Sequence, residues 1–498
     1  MGSNDRNIVD GVGTDRTFNR AKILVVLLLF LAMSLMAVSS INVALPSIQH
    51  GLQAHDSDLQ WVLSGYALTF GITLVPAGRM GDLLGRGNLF VAGVAVFSVA
   101  SLVCGLAHSA DILNLARLAQ GVGAGLAGPQ TTGMVTQYFS GQGRAKAFSY
   151  FGLVLSVSVA IGPLTTGIII QALGDDGWRF SFLVNFPLGL LCMVLALLWF
   201  PFNAERQRWL IRKSGGHTRL IIDLDPVGAT MLCLAVLCIM LPFMIKTGPG
   251  FALLILGAAL LFGWVRWESG YQSRGQEPMV DLGLFKHRNF STQTAISSIN
   301  FLGGTSIFAL LAIWLQNGLH VPALAVGMIG LPNALCSATL ALIAGKRALT
   351  RGRIMVAAAM GSIVVGVLAC IGTASLIERF GISFWWLMLP LSLIGIGQGS
   401  MGSANQTLSM ADIPAAAGGT AGGIKQTGER IATAVGNAML TAIMFSLLVR
   451  HGWTVGYQAA YAAIVVIAIV ALTLALRDLM QHGPGIIKDF TIPASELD

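Results

Sequence analysis

The chain has 498 residues, 55% of them hydrophobic and only 10% charged, with a mean hydropathy of +0.75. Soluble proteins carry roughly 25% charged residues, so a soluble globular fold is excluded and most of the surface must face lipid. The formal charge of +8 does not point to nucleic acid, because the basic residues fall in short loops between apolar runs, where they orient a membrane chain.

The first 20 residues are polar, contain Asp5, Asp10 and Asp15, and lack the short apolar stretch and cleavage site of a signal peptide. A spanning helix needs about 20 apolar residues. Fourteen runs qualify: 21–48, 59–78, 88–107, 112–136, 145–173, 180–200, 226–244, 250–268, 290–316, 322–345, 354–377, 383–411, 418–449 and 456–476. The predicted fold is therefore an all-α membrane protein. Cys104, Cys192, Cys233, Cys238, Cys336 and Cys370 all lie inside these runs without zinc-ligand spacing, so neither a disulfide nor a metal site is expected.

With the N-terminus inside, 23 Lys and Arg residues fall on the inner side. Only four, Arg179, Lys246, Arg379 and Arg450, fall outside, and Arg117, Lys425 and Arg430 lie within spans. This bias places both termini in the cytoplasm and the chain in the inner (plasma) membrane. The loops 78–86 and 345–353 are both short, basic and glycine-containing, and form a weak internal repeat. Matching runs 1–6 to runs 9–14 divides the chain into a tail (1–20), a six-helix half (21–201), loops with an inserted helix pair (202–289), a second six-helix half (290–476) and a tail (477–498). Two parallel halves around a central site is a transporter layout.

The acidic residue placed deepest in the apolar runs is Glu429. A carboxylate at that depth costs several kcal/mol, to order of magnitude, unless paired, hydrated or protonated. Lys425 precedes it by four residues, so both sit on one helix face. Arg430 points about 100° away. Three readings are open. Glu429 takes and releases a proton, tuned by Lys425 or Arg117; Lys425 or Arg430 meets an anionic substrate group; or Lys425 and Glu429 form a self-neutralising structural pair. Arg117 is open between proton coupling and bonding to backbone carbonyls. Polar or aromatic candidates for a central cavity are Asn42, Trp61, Tyr66, Asn300, Trp314, Gln316, Gln398, Asn405, Gln426 and Arg430. For each, an interhelical hydrogen bond or plain packing is the competing reading. The phosphate-binding loop Gly-x-x-x-x-Gly-Lys-Ser/Thr is missing from the sequence, which argues against ATP-driven transport. The lack of a visible Ser/His/Asp or metal cluster argues against an enzyme, and no cofactor is expected.

Several stretches resemble one family. Gly78-Arg79-Met80-Gly81-Asp82-Leu83-Leu84-Gly85-Arg86 is similar to the helix 2–3 loop signature of the major facilitator superfamily. Arg117 through Gly125 resembles its helix 4 signature, and Gly152 with Gly162-Pro163 and Gly167 resembles the helix 5 signature of its antiporters. The stretches Asn42–Pro46, Trp178-Arg179-Phe180, Asn185-Phe186-Pro187 and Trp314-Leu315-Gln316, with the fourteen runs, resemble the drug:proton antiporter branch. The resemblance implies two six-helix halves with two extra helices between them. It also implies proton-coupled export of a small amphipathic compound by a monomer. Asp82 with Arg79 or Arg86 becomes a conformational latch, against the plainer reading of an incidental acid in a basic loop. Gly152, Gly162, Pro163 and Gly167 become a seal against leak. The branch carries an acid in helix 1 where this chain has Ala37, with Ser39 and Ser40 nearby. That departure shifts the expected substrate from strongly cationic toward neutral, amphipathic or anionic. Export of an endogenous envelope lipid or metabolite, and a non-transporting scaffold or sensor, are the alternatives.

Overall fold

The computed structural model describes residues 8–10, 17–202, 225–245, 248–274, 276 and 278–486. The basic stretch 203–224, Lys246 and most of both tails therefore lie outside the described residues. A short antiparallel ribbon, β1 (Ile8–Asp10) with β2 (Thr17–Asn19), pairs Val9 with Phe18 just before the first helix.

The first half has six spans. The first, α1, runs as Arg20–Ser39 and Ile41–Leu52, followed by α2 (Asp56–Leu84) and α3 (Arg86–Leu106). Next come α4 (Ala110–Tyr138), α5 (Gly141–Leu173) and α6, in two pieces, Gly177–Leu183 and Asn185–Trp199. The inserted pair is α7 (Pro226–Ile245) and α8 (Ala252–Ser273). In the second half α9 comprises Arg288–Gly304, Ser306–Ile313 and a wide final turn, Trp314–Gly318. The helical run Leu331–Phe380 leaves helical geometry at Arg351 (φ −131°, ψ 20°), so residues 331–350 form α10 and 352–380 form α11. The last spans are α12 (Met388–Ser409), α13 (Gly418–His451) and α14 (Trp453–His482).

By length and composition alone, 11 helices of the described residues could cross a membrane, with α10 and α11 counted as one. The remaining two of the fourteen are α4 and α12. Their hydropathy is diluted by Arg117, Gln120 and Gln130 in α4, and by Gln398, Asn405 and Gln406 in α12. Protein rather than lipid surrounds those polar groups: Arg117, Gln120, Gln130 and Asn405 are all buried. The two least apolar spans are thus interior helices, where a polar side chain can find a partner.

Each half has its own core. Phe30, Phe90, Phe97 and Phe148 anchor the first, while Trp314, Tyr457, Tyr461 and Met360 anchor the second. A smaller cluster joins Leu232, Val236 and Met240 of α7 and Trp264 of α8 to Leu68 and Val75 of α2, with Ile424 of α13 packed against it. The inserted pair therefore lies against the junction of the two halves, on the α2–α13 side. We call the end of the bundle where α1 begins and α14 ends the terminal face.

Candidate functional site

The halves meet along two seams. At the terminal face of the first, Gly85 adopts φ 106° between α2 and α3, a conformation that favours glycine. This turn sets Asp82 and Arg86 against each other: the Arg86 Nε donates to Asp82 Oδ1 at 2.8 Å, and the pair is almost fully buried. Asp82 also crosses to the other half. Its carboxylate accepts from the Gly419 N–H at 3.1 Å, the Thr420 N–H at 2.9 Å and the Thr420 hydroxyl at 2.9 Å. These donors are the first turn of α13, so the acid of one half caps a helix of the other. The helix dipole favours a negative charge there. Arg86 donates onward to the carbonyls of Gly133 and Ala415, both at 2.6 Å. The arginine paired with Asp82 is thus Arg86, while Arg79 is half-buried one turn earlier on α2.

Above this bridge α2 and α13 pack backbone to backbone. A methyl group on Gly78 would come within 2.8 Å of the Gly419 carbonyl carbon, and one on Gly423 within 2.6 Å of the Leu74 carbonyl oxygen. One turn further along α13 the charges begin. Lys425 is buried, donates to the Gln406 Oε1 of α12, and lies 3.9 Å from Glu429 Oε1. Glu429 accepts a 2.5 Å hydrogen bond from the Ser297 hydroxyl of α9. At about 1.5 Å per residue, Glu429 stands roughly 16 Å along α13 from its capped end. Arg430 faces elsewhere: its guanidinium lies over the Phe70 ring of α2, 4.7 Å from the centroid, and so crosses the seam.

Phe70 neighbours Tyr66, their ring centroids 5.8 Å apart. The Tyr66 hydroxyl shares a 3.0 Å hydrogen bond with Ser34 of α1. Arg117 lies over the other aromatic, 4.5 Å from the Tyr66 centroid. Its Nε donates to the Val62 carbonyl at 2.9 Å and its Nη1 to Gln120 Oε1 at 2.6 Å, and Gln120 continues to Ser101. These contacts tie α2, α3 and α4 together within one half. They match the structural reading of Arg117, which makes no ion pair with Glu429.

The second seam joins α5 to α10 and α12. Gly152 faces Ser403 and Ala341, and the Ser156 and Ser337 hydroxyls share a 2.6 Å bond across the seam. At the terminal face Gln142 donates to the Lys346 carbonyl at 2.7 Å and Arg144 to the Met410 carbonyl at 3.1 Å. Of the four residues predicted in α5, only Gly152 stands at this seam. Gly162 packs against Ser39 and Ser40 of α1, a methyl group on Gly167 would lie 3.9 Å from Val43, and Pro163 is half-buried without breaking the helix.

The other cavity candidates divide. Trp314 is fully buried in the core of the second half, stacked on Tyr457 at 4.4 Å with its Nε1 donating to Thr454 at 3.4 Å. Asn405 is buried and donates to Gln293, and Tyr66 is held as above. These three follow the packing reading. Gln316 and Trp61 are exposed toward the far face, whereas Asn300, Gln398, Gln426 and Arg430 are half-buried. The side chain of Asn42 lies outside the described ones. An outward-facing apolar recess of about 510 Å³ between α3 and α4, with Val99 and Leu115 exposed, faces the lipid side.

Two charged groups escaped the sequence reading. Arg353 is buried and its Nε pairs with Asp478 of α14 at 3.1 Å, while Gln293 donates to the same carboxylate at 2.9 Å. In the 345–353 repeat, Arg353 stands in register with Arg86, and Leu349 stands where Asp82 should be. That register was the available signal. Glu268, at the end of an apolar run, is 1% exposed beside Asp225 at the base of the inserted pair. No periodicity marks it.

Comparison with known proteins agrees with this architecture. Residues 27–437 match the Major Facilitator Superfamily model. The probable actinorhodin transporter of Streptomyces coelicolor is 29% identical over 84% of this chain and 71% of its own length. The puromycin resistance protein pur8 of Streptomyces alboniger is 27% identical over 90% of both chains. Among solved structures, the proton:xylose symporter XylE superposes with a TM-score of 0.67 at 14% identity, covering 93% of this chain and 96% of its own, which is a likeness of fold. The chain belongs to the Major Facilitator Superfamily of membrane transporters.

Proposed function

We propose that this transporter is a proton-coupled exporter of a small amphipathic compound in the inner (plasma) membrane, with both termini cytoplasmic. It works by alternating access of its two halves. The actinorhodin and puromycin relatives support export of small compounds, and the fourteen spans support the drug:proton antiporter branch. The terminal face is then the cytoplasmic face. The observation that carries the coupling is that α13 bears two functional groups on one rigid helix. Its N-terminus is held by Asp82 of the opposite half, and Glu429 sits about three turns further on, at mid-depth.

The protonation state of Glu429 bears on the position of that helix. Ionised, Glu429 holds Ser297 and offsets the charge of Lys425. Protonated, it leaves Lys425 uncompensated in a dry environment and holds Ser297 of α9 only through a weaker, neutral hydrogen bond. A shift of α13 against α9 acts directly on the Asp82 cap and hence on closure of the cytoplasmic side. Inward proton flow thereby drives the halves apart and together around a midplane site.

The test is flux in proteoliposomes under an imposed pH gradient, comparing wild type with Glu429→Gln. The glutamine keeps the hydrogen-bond acceptor for Ser297 but cannot titrate. pH-driven flux should fall at least tenfold while downhill exchange of substrate persists. Undiminished pH-driven flux in the variant removes Glu429 from the coupling role.

A further inference from the structure

Arg430 is a guanidinium at mid-depth, and no carboxylate among the described residues forms an ion pair with it. Its neighbour in the chain, Glu429, is turned to Ser297 and Lys425. What Arg430 does contact is the face of Phe70, which leaves the in-plane N–H donors of the guanidinium available. The position is on the seam between the halves, on the same stretch of α2 as Tyr66, and part of the side chain is left uncovered by protein. A charged side chain inside a membrane is costly unless paired.

The local charges sharpen the point. Lys425 and Arg430 are two cations against the single anion Glu429. The cluster reaches neutrality only when one further negative charge joins it. Arg117 stands outside this cluster, settled on the carbonyl of Val62 within the first half. Arginine presents a planar fork that matches a carboxylate or a pair of vicinal oxygens. Stacked on an aromatic ring, it also extends a flat surface on which a planar ring can lie.

We infer that the exported compound is a planar aromatic monoanion, a carboxylate or an ionised phenol, whose negative oxygen docks on the N–H edge of Arg430 while its ring packs against the uncovered side of the Arg430–Phe70 stack. This rests on the reading of the chain as an exporter of a small amphipathic compound. It is independent of whether Glu429 carries the proton. The bound anion offsets the charge of Arg430, which lowers the barrier to moving the loaded site through the closed intermediate.

The purified full chain is titrated at equilibrium, with no gradient, with 2-hydroxy-1,4-naphthoquinone and with its methyl ether. The first is anionic at neutral pH and the second is neutral with nearly the same shape. Wild type should bind the anion at least tenfold tighter, and its affinity should track the ionised fraction of the probe as pH is varied across the probe's own ionisation. Arg430→Gln should lose at least tenfold for the anion and less than twofold for the ether, with Arg430→Lys recovering part of the loss. Equal binding of both probes by wild type overturns the inference without any variant having to fold. So does an equal loss for both probes in Arg430→Gln. Selective loss of anion binding in Arg430→Gln together with normal pH-driven flux in Glu429→Gln upholds the inference and sinks the coupling reading instead.

Discussion

The two seams between the halves are built from different chemistry. The α2–α13 seam is closed at the terminal face by a buried ion pair that caps a helix across the junction, carries the Lys425–Glu429–Arg430 cluster at mid-depth, and is covered by the inserted α7. The α5–α10 seam holds no ion pair among the described residues: Gln142 and Arg144 donate to backbone carbonyls at its terminal face, and small residues and hydroxyls, Gly152, Ser156, Ser337 and Ala341, lie at its centre. The difference teaches where switching energy can be stored. A capped ion pair is bistable, strong when the geometry is met and costly when it is not, whereas contacts between small residues weaken gradually as helices slide. The first seam is suited to act as the switch and the second as the hinge it turns against.

The repeat makes the same contrast within one motif. Arg86 and Arg353 occupy matching places, but only Arg86 has an acid four residues before it. Arg353 finds Asp478 within its own half instead. Removing one partner of a buried pair costs about 3–5 kcal/mol in either place. Asp82→Ala and Asp478→Ala should therefore lower thermal stability in detergent comparably. Only Asp82→Ala should also open the terminal side, read as faster thiol labelling of a cysteine placed at the buried Ala421. Equal labelling in the two variants would erase the distinction between a bridge across the halves and a bridge within one.

A smaller effect separates the glycines of the two seams. Gly78→Ala drives a methyl group into the backbone of Gly419, which cannot give, while Gly152→Ala meets side-chain atoms, the Ser403 hydroxyl at 2.7 Å and the Ala341 methyl at 3.0 Å. Transport should fall several-fold more in Gly78→Ala than in Gly152→Ala, at matched expression. The reverse order would show that the α5–α10 seam is the tighter one. The smallest effect is expected from Ser337→Ala. It removes the hydroxyl partner of Ser156, but Ser156 still donates to the Gly152 carbonyl at 2.9 Å. The loss should be no more than about 1 kcal/mol in a thermal melt, with flux nearly unchanged.

Much of this was legible in the chain itself. Composition and run length gave the number of spans because lipid requires each crossing helix to be long and apolar. The turn at Gly85 placed Asp82 beside Arg86, and i, i+4 spacing put Lys425 and Glu429 on one face of a helix. Sequence alone left three readings of that pair open, and it could not decide whether Arg117 faced a cavity or a carbonyl. It also placed Trp314 and Asn405 with the cavity candidates, because a polar group in an apolar run looks the same whether it lines a cavity or satisfies a neighbour. Those choices depend on which helix lies opposite, and that is settled only when distant segments pack. Val62 is 55 residues from Arg117, Gly419 is 337 from Asp82, and Phe70 lies under Arg430 from the other half of the molecule. Local physics fixed which residues are expensive to bury, and the tertiary structure alone decided which partners offset that cost and which guanidinium was left without an ion pair among the described residues.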